Sequence, residues 1–407
     1  MSTEAVSGAD HQERASFGSY LKNNIREYGM LISLIAIMLY FQYSTDGKLF
    51  NPDNLTSIIQ QRGYIVVMAL GMLLIIVAGH IDLSVGWLSG FLGAVSAIAM
   101  VDYGMPWYLG VAITVVVGVV VGCVQGYSVA YLKMPSFIVT LAGMLVFRGL
   151  TLNTLGGRNV GPFPDEISTL LTGFFPEFVG KAPDPFVAGG TVHVASLAIS
   201  VVVVVAMLLG AFMSRAKQVA RGMNDEPFVI FVIKNFAIAG MLLYLCYLFA
   251  TYKGLPNVFV IIGVLIAFYS FIATRTVIGR RVFALGGNEK AAKLSGINTE
   301  RLVFYAFINM GVLTALAGMM FATRLGWATP KAGEGFELDV IAACFIGGAS
   351  AYGGVGTVMG AVIGAFIMGV LNNGMTMEGI GIDWQFMIKG AVLFFAVLID
   401  VYNKTKS

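Results

Sequence analysis

Twelve apolar stretches dominate this chain of 407 residues, and most are long enough to cross a lipid bilayer. They lie at 28–44, 63–79, 83–101, 107–126, 136–153, 191–213, 227–251, 257–274, 302–323, 337–350, 353–373 and 384–402. About 20 mostly apolar residues in a helix cover the hydrocarbon. The stretch 337–350 is short for that task. It forms either a span of its own or one arm of a broken, re-entrant hairpin with 353–373, because Gly347, Gly348, Gly353, Gly354 and Gly356 crowd the junction. Either arrangement returns the chain to the same side. Only 12% of the residues are charged and 57% are hydrophobic, whereas soluble domains carry about 25% charged residues. A soluble enzyme and a disordered chain are both excluded. The net charge of +3 is small and scattered, so no nucleic-acid partner is expected. The fold class is an all-α polytopic membrane protein with about 10–12 transmembrane helices, in a single membrane domain over 28–402.

Basic residues give the orientation. With the N-terminus inside, 15 of the Lys and Arg fall in inside segments, seven fall outside, and Arg148, Lys234 and Lys389 lie within spans. Cytoplasmic connections carry such an excess, so both termini are expected in the cytoplasm. Residues 1–27 are polar and mixed in charge, unlike a signal peptide, and read as a cytoplasmic tail. A second tail covers 403–407, and 154–190 is the long outside loop.

Catalytic chemistry is hard to find. Cys123, Cys246 and Cys344 sit in apolar stretches with no metal or redox spacing and read as packing residues. No GxxxxGK[ST] loop or GxSxG motif occurs, and His11, His80 and His193 make no ligand pair. There is also no ladder of intramembrane acids of the kind that ion-coupled carriers use. The chain is expected to be neither an enzyme nor a self-powered carrier. Glycine is frequent instead, with rows at Gly118, Gly122, Gly126, at Gly356, Gly360, Gly364 and at Gly86, Gly90, Ala94. Such rows permit close helix packing. A faint echo between Ser84-Val85-Gly86 and Gly354-Val355-Gly356 is of the kind that marks transporter repeats, but Gly-rich helices match easily.

The polar residues near the spans are few. Asp82 either caps the helix starting near Leu83 or serves a gate or coupling face. Arg148 and Lys389 lie near span ends, where they can snorkel to the interface. Asn372 and Asn373, before Gly374, either line a polar pathway or mark a helix stop. The most informative connection is the cytoplasmic segment 275–301. Asn288 or its neighbour can cap a short helix over 289–295, which Gly296 closes. Glu289 in its first turn and Lys293 four residues later favour that helix through the dipole and an i, i+4 pair. Ala291 and Ala292 give it a shallow face suited to another protein's groove. A solvated connector is the plainer alternative.

The run Gly279-Arg280-Arg281, Ala284-Leu285-Gly286-Gly287-Asn288-Glu289 and Ala291-Ala292-Lys293-Leu294-Ser295-Gly296-Ile297-Asn298 resembles the coupling segment of bacterial monosaccharide ABC-importer permeases. Four further motifs agree in order: Ile81-Asp82-Leu83-Ser84-Val85-Gly86; Pro135-Ser136-Phe137-Ile138-Val139-Thr140 with Phe147-Arg148-Gly149; Glu337-Leu338-Asp339; and Asn372-Asn373-Gly374-Met375. The resemblance runs from about residue 28 to 402 and is strongest to the xylose and multiple-monosaccharide members. Compact ribose-type members are expected to lack the equivalent of roughly 186–250.

The resemblance implies a fold like the vitamin B12 type of ABC importer, in the bacterial inner membrane, with two copies pairing as a homodimer. The Gly-rich faces give that pairing weak independent support. It also implies a cytoplasmic ATPase with tandem nucleotide-binding domains, which holds the ATP and Mg, and a periplasmic sugar-binding protein. No cofactor is expected on this chain. Asn288, Glu289, Ala291, Ala292, Lys293, Gly296 and Asn298 are the expected ATPase-docking residues, so that Ala292→Asp should abolish uptake. Asp82, Ser84, Phe137, Asn372 and Asn373 are weaker candidates for a gate or pathway. A permease for branched-chain amino acids or nucleosides, a stand-alone sugar facilitator and a membrane enzyme are the rival readings.

Overall fold

The computed structural model describes residues 25–187, 189–222 and 227–406 as a helical bundle. Its first half comprises α1 (Ile25–Ser44), α2 (Pro52–Val77), α3 (Val85–Ala97, continued by a π-helical turn over Ile98–Asp102), α4 (Trp107–Ala130) and α5 (Ser136–Leu155). A small extramembrane lobe follows, with α6 (Asp165–Thr172) and a hairpin of β1 (Lys181–Pro183) and β2 (Thr191–His193), in which Lys181 faces His193. The second half holds α7 (Val194–Ala220), α8 (Phe228–Tyr252), α9 (Asn257–Arg275), α10 (Val277–Gly287), α11 (Glu289–Leu294), α12 (Thr299–Leu325), α13 (Phe336–Ile346), α14 (Val358–Met377) and α15 (Ile382–Lys406). Ten helices among the described residues are long and apolar enough to cross a membrane, and α1 adds a shorter apolar helix.

The helices alternate between two ends. One end is tied by the Val160–Ala328 bridge, the Arg158–Asp102 ion pair and the Asn373–Asn54 hydrogen bond. The other is tied by the Lys133–Glu300 ion pair, by Gly354 N–H donating to the Val77 carbonyl, and by Ser350 donating to Asp400. The described ends at Ile25 and Lys406 both lie at this second end, together with α10 and α11. The segment read as 63–79 begins earlier, at Pro52, because Asn51-Pro52-Asp53 supplies a helix start that hydropathy does not register. Arg215 and Lys217, expected in a loop, belong to α7. Residues 403–406 of the expected tail continue α15. In the N-terminal tail, 1–24 lie outside the described residues, as does Ser407.

α12 is the axis of the core, packing on α2, α3 and α4. The row Gly118, Gly122, Gly126 makes the α4–α12 crossing possible. A Cβ at Gly118 would lie 2.6 Å from the Gly311 carbonyl oxygen, and one at Gly311 would overlap the Gly118 oxygen. The other rows are used likewise: Gly360 and Gly364 meet Gly347 and Ala343 across the α13–α14 contact, and Gly86 and Gly90 meet Gly333 and Ala332. These faces are consumed inside one chain, so they lend no support to a dimer. Gly311→Val is expected to force α4 and α12 apart at a cost of about 1–3 kcal/mol. Its thermal unfolding midpoint in detergent should fall, whereas Gly263→Ala, with nothing within 4 Å of the added methyl, should keep or slightly raise it through helix propensity.

The segment 337–350 resolves as the short helix α13 followed by an irregular run, 347–357. That run does not turn back halfway. Gly353 and Gly354 reach the ends of α2 and α10, touching Gly79 and Gly287. The crossing is therefore a broken span, and non-helical backbone at this depth persists because it is buried in protein.

Candidate functional site

The end of the bundle that carries α10 and α11 is built on backbone contacts. After Arg275 the chain turns at Thr276, whose hydroxyl accepts from Gly279 N–H at 3.2 Å and starts α10. At the far end of α10, Gly286 has no room for a side chain: its Cβ would strike the Val77 carbonyl and lie 2.5 Å from Gly354 N. Gly354 N–H in turn donates to Val77 O at 2.9 Å. The ends of α2 and α10 and the broken segment 347–357 thus meet backbone to backbone. At Gly286 and Gly354 this joint leaves no room for a side chain.

Beyond α10, the Asn288 side chain accepts from Ala291 N–H at 3.0 Å and caps α11, as the sequence anticipates. Gly296, at φ +78°, ends it. The Asn298 side chain accepts from Arg301 N–H at 2.9 Å and caps α12. Both asparagines therefore define the shape of the loop. The expected Glu289–Lys293 pair is replaced. Lys293 binds Glu300 at 2.6 Å, and Lys133 joins the same carboxylate at 3.3 Å. That hydrogen bond and charge lift the Lys293 ammonium above its ordinary value. Glu300 wins because it sits between two cations, whereas Glu289 would offer Lys293 one exposed partner.

Exposure on α11 also departs from expectation. Glu289, Ala291, Lys293 and Gly296 are exposed, but Ala292 is only 4% exposed and packs inward. Leu294, absent from the expected set, is 90% exposed. It is the one large apolar side chain of a six-residue helix that otherwise reads Glu-Lys-Ala-Ala-Lys. That contrast is its only signal in the sequence.

A cavity of about 350 Å³ opens beside α11, lined by His80, Lys133, Ser136, Phe137, Glu289 and Glu300 among others. It brings Phe137 and Glu289, expected in separate roles, to one place. Burial draws the His80 imidazole below its ordinary pKa.

Behind it lies a buried polar chain. Asp82 accepts from Ser84 N–H at 2.9 Å and from the Ser84 hydroxyl at 2.7 Å, and Gln125 donates to Ser84 Oγ at 2.8 Å. Asp82 therefore does not cap α3, whose first residue is Val85; it forms a local turn two residues ahead of the cap position. Its second carboxylate oxygen is buried without a hydrogen-bond partner among the described residues. Gln125 escaped the sequence reading, although a lone amide within 107–130 stands out among apolar neighbours.

Asn372 and Asn373 lie far from this group. Asn372 is fully buried within α14, which continues to Met377, so it is no helix stop. It donates to Asp339 at 3.1 Å. Lys389 reaches the same carboxylate, 3.0 Å from one oxygen and 3.1 Å from the other. Lys389 therefore pairs inward instead of snorkelling. Glu337, two residues earlier on α13, is buried against Gly86. Arg148, by contrast, is exposed and lies over the Trp87 ring at 5.1 Å.

A family profile described as branched-chain amino acid transport system / permease component matches residues 54–397. The chain is 39% identical to the xylose transport system permease protein XylH of Escherichia coli (strain K12), over 94% of both chains. It is 38% identical to XylH of Haemophilus influenzae, over 94% of this chain and 98% of that one. Identity to the ribose import permease protein RbsC of Escherichia coli (strain K12) is 30%, over 98% of this chain and 99% of that one. No solved structure matches.

Proposed function

This chain belongs to the branched-chain amino acid transport system / permease component family, and from that membership we propose that it is the membrane-spanning subunit of an ABC importer for a monosaccharide, with xylose the first candidate. The observation that carries the reading is end-to-end identity of 39% with a xylose permease, covering 94% of each chain. The family profile's own description mentions branched-chain amino acids, which keeps those solutes in the test.

In this reading the end with α10 and α11 faces the cytoplasm, as do both termini, in the bacterial inner membrane. A separate ATPase with tandem nucleotide-binding domains binds ATP and Mg and docks on α11, with Leu294 as the apolar anchor and Glu289, Ala291 and Lys293 around it. Closure of the ATPase displaces α10, and the contacts of Gly286 with Val77 and Gly354 pass the movement to α2 and to the broken span. Asp82, Ser84 and Phe137 are then the gate or pathway residues that respond to this movement. A second copy completes the pathway, and a periplasmic sugar-binding protein delivers the substrate to the opposite end. Selectivity then rests mainly on that binding protein.

The test is uptake in proteoliposomes containing the chain, a tandem ATPase and a sugar-loaded binding protein, each omitted in turn. Xylose accumulation that requires all three components and ATP is the expected result. Entry with this chain alone would make it a facilitator, and leucine accumulation in place of sugar would move it to the other substrate class.

A further inference from the structure

A second cleft, of about 390 Å³, lies at the α10–α11 end of the bundle, between the last turns of α7 and α9. Lys217, Arg221 and Arg275 all line it, with Gly210, Met213 and Gln218. Among the described residues no acidic side chain lines it and none of the three cations makes an ion pair. The connection 223–226, with Asp225 and Glu226, lies outside the described residues. Arg215, on the same helix, behaves differently: its guanidinium lies over the Phe231 and Phe228 rings, at 4.7 and 5.4 Å.

Cations at helix C-termini are favoured by the helix dipole, which accounts for Lys217 and Arg275 one at a time. It does not account for their convergence, with Arg221, on one open cleft. Lys217 and Arg221 are four residues apart and share a helix face, and Arg275 comes from a different helix. Three like charges around a common space repel one another unless an anion sits between them. Two guanidinium forks and an ammonium are the donor set that suits phosphate oxygens. Gly210 adds room, since a Cβ placed there would have no neighbour within 4 Å outside its own helix backbone. The membrane-spanning lengths of the same two helices carry exposed apolar side chains, among them Val202, Val205 and Leu209 on α7 and Val264, Phe268 and Phe271 on α9. A free phosphate would use only the cations, whereas a lipid would use both surfaces. We propose that this cleft binds an anionic phospholipid, with its phosphate between Lys217, Arg221 and Arg275 and its acyl chains along the exposed walls of α7 and α9.

Native mass spectrometry of the full chain, titrated with phosphatidylglycerol or phosphatidylcholine, tests this. Each basic residue near a membrane surface contributes about fivefold to binding of anionic lipid. K217Q, R221Q and R275Q should each weaken the phosphatidylglycerol adduct about fivefold, and the triple variant on the order of a hundredfold, with phosphatidylcholine unchanged. R280Q/R281Q, on α10 outside the cleft, should leave the adduct intact. If the triple variant is not monodisperse, the three single variants decide. An undiminished preference in the variants, or an equal loss in R280Q/R281Q, overturns the site. Displacement of the lipid by excess inorganic phosphate would assign the cleft to a soluble anion instead.

Discussion

A permease carrying Leu294→Asp is expected to reach the membrane and unfold at the wild-type temperature, yet to import sugar about thirtyfold more slowly with its ATPase and binding protein. Leu294 is 90% exposed, so little in this chain depends on it for packing. An apolar side chain held out on a capped, rigid helix is the form that interface anchors take, and truncating such anchors costs about 2 kcal/mol or more. Asp adds a charge that must lose its water on docking. Ala292→Asp is the informative comparison. Because Ala292 is buried, that variant places a carboxylate inside the loop and should lower the unfolding temperature before any coupling is measured. Thermal unfolding in detergent, run beside ATP-driven uptake, separates the two. Wild-type uptake by Leu294→Asp would remove α11 from the docking surface.

Lys389→Met is expected to cost about 3–5 kcal/mol, because it leaves the Asp339 carboxylate charged, buried and without its cation. Asp339 is almost fully buried, and apart from Lys389 its described hydrogen-bond partner is the Asn372 amide. The double variant Asp339→Asn/Lys389→Met removes both charges and keeps polar atoms at 339 for Asn372. It should regain most of the loss, since replacing both members of a buried pair is often close to neutral. The unfolding midpoints of the two variants and the wild type measure this. A double variant as unstable as the single one would mean that the pair is not what stabilises the α13–α15 contact.

Much of the candidate site was legible because it is local. Asn288, Glu289 and Gly296 announce a short helix within nine residues, and the caps form as the sequence implies. The likeness of 279–298 to a coupling segment was likewise carried by contiguous residues. What failed was the assignment of faces. Ala292 and Leu294 are two residues apart on a helix of under two turns. Which one points inward depends on how α11 lies on α10 and α12, and no local pattern records that. The Glu289–Lys293 pair failed for a related reason: Glu300 competes for Lys293 from the next helix, with Lys133 helping to place it from the turn after α4.

Hydropathy and charge along the chain settle the class of the protein, its spans, and the alternation of its connections between two ends. Lipid enforces these point by point, since backbone facing lipid must be satisfied within its own helix and every span needs an apolar length. The partners of each helix were set by packing between elements distant in sequence. Gly118 with Gly311, Gln125 with Ser84, and Asp339 with Lys389 join residues 193, 41 and 50 positions apart. Any of these residues could have faced lipid, a second copy or an aqueous path as far as its own neighbours in sequence are concerned. Close packing chose among those options, because a glycine row fits only against a backbone that can approach it, and a buried charge persists only where an opposite charge from another helix is within reach.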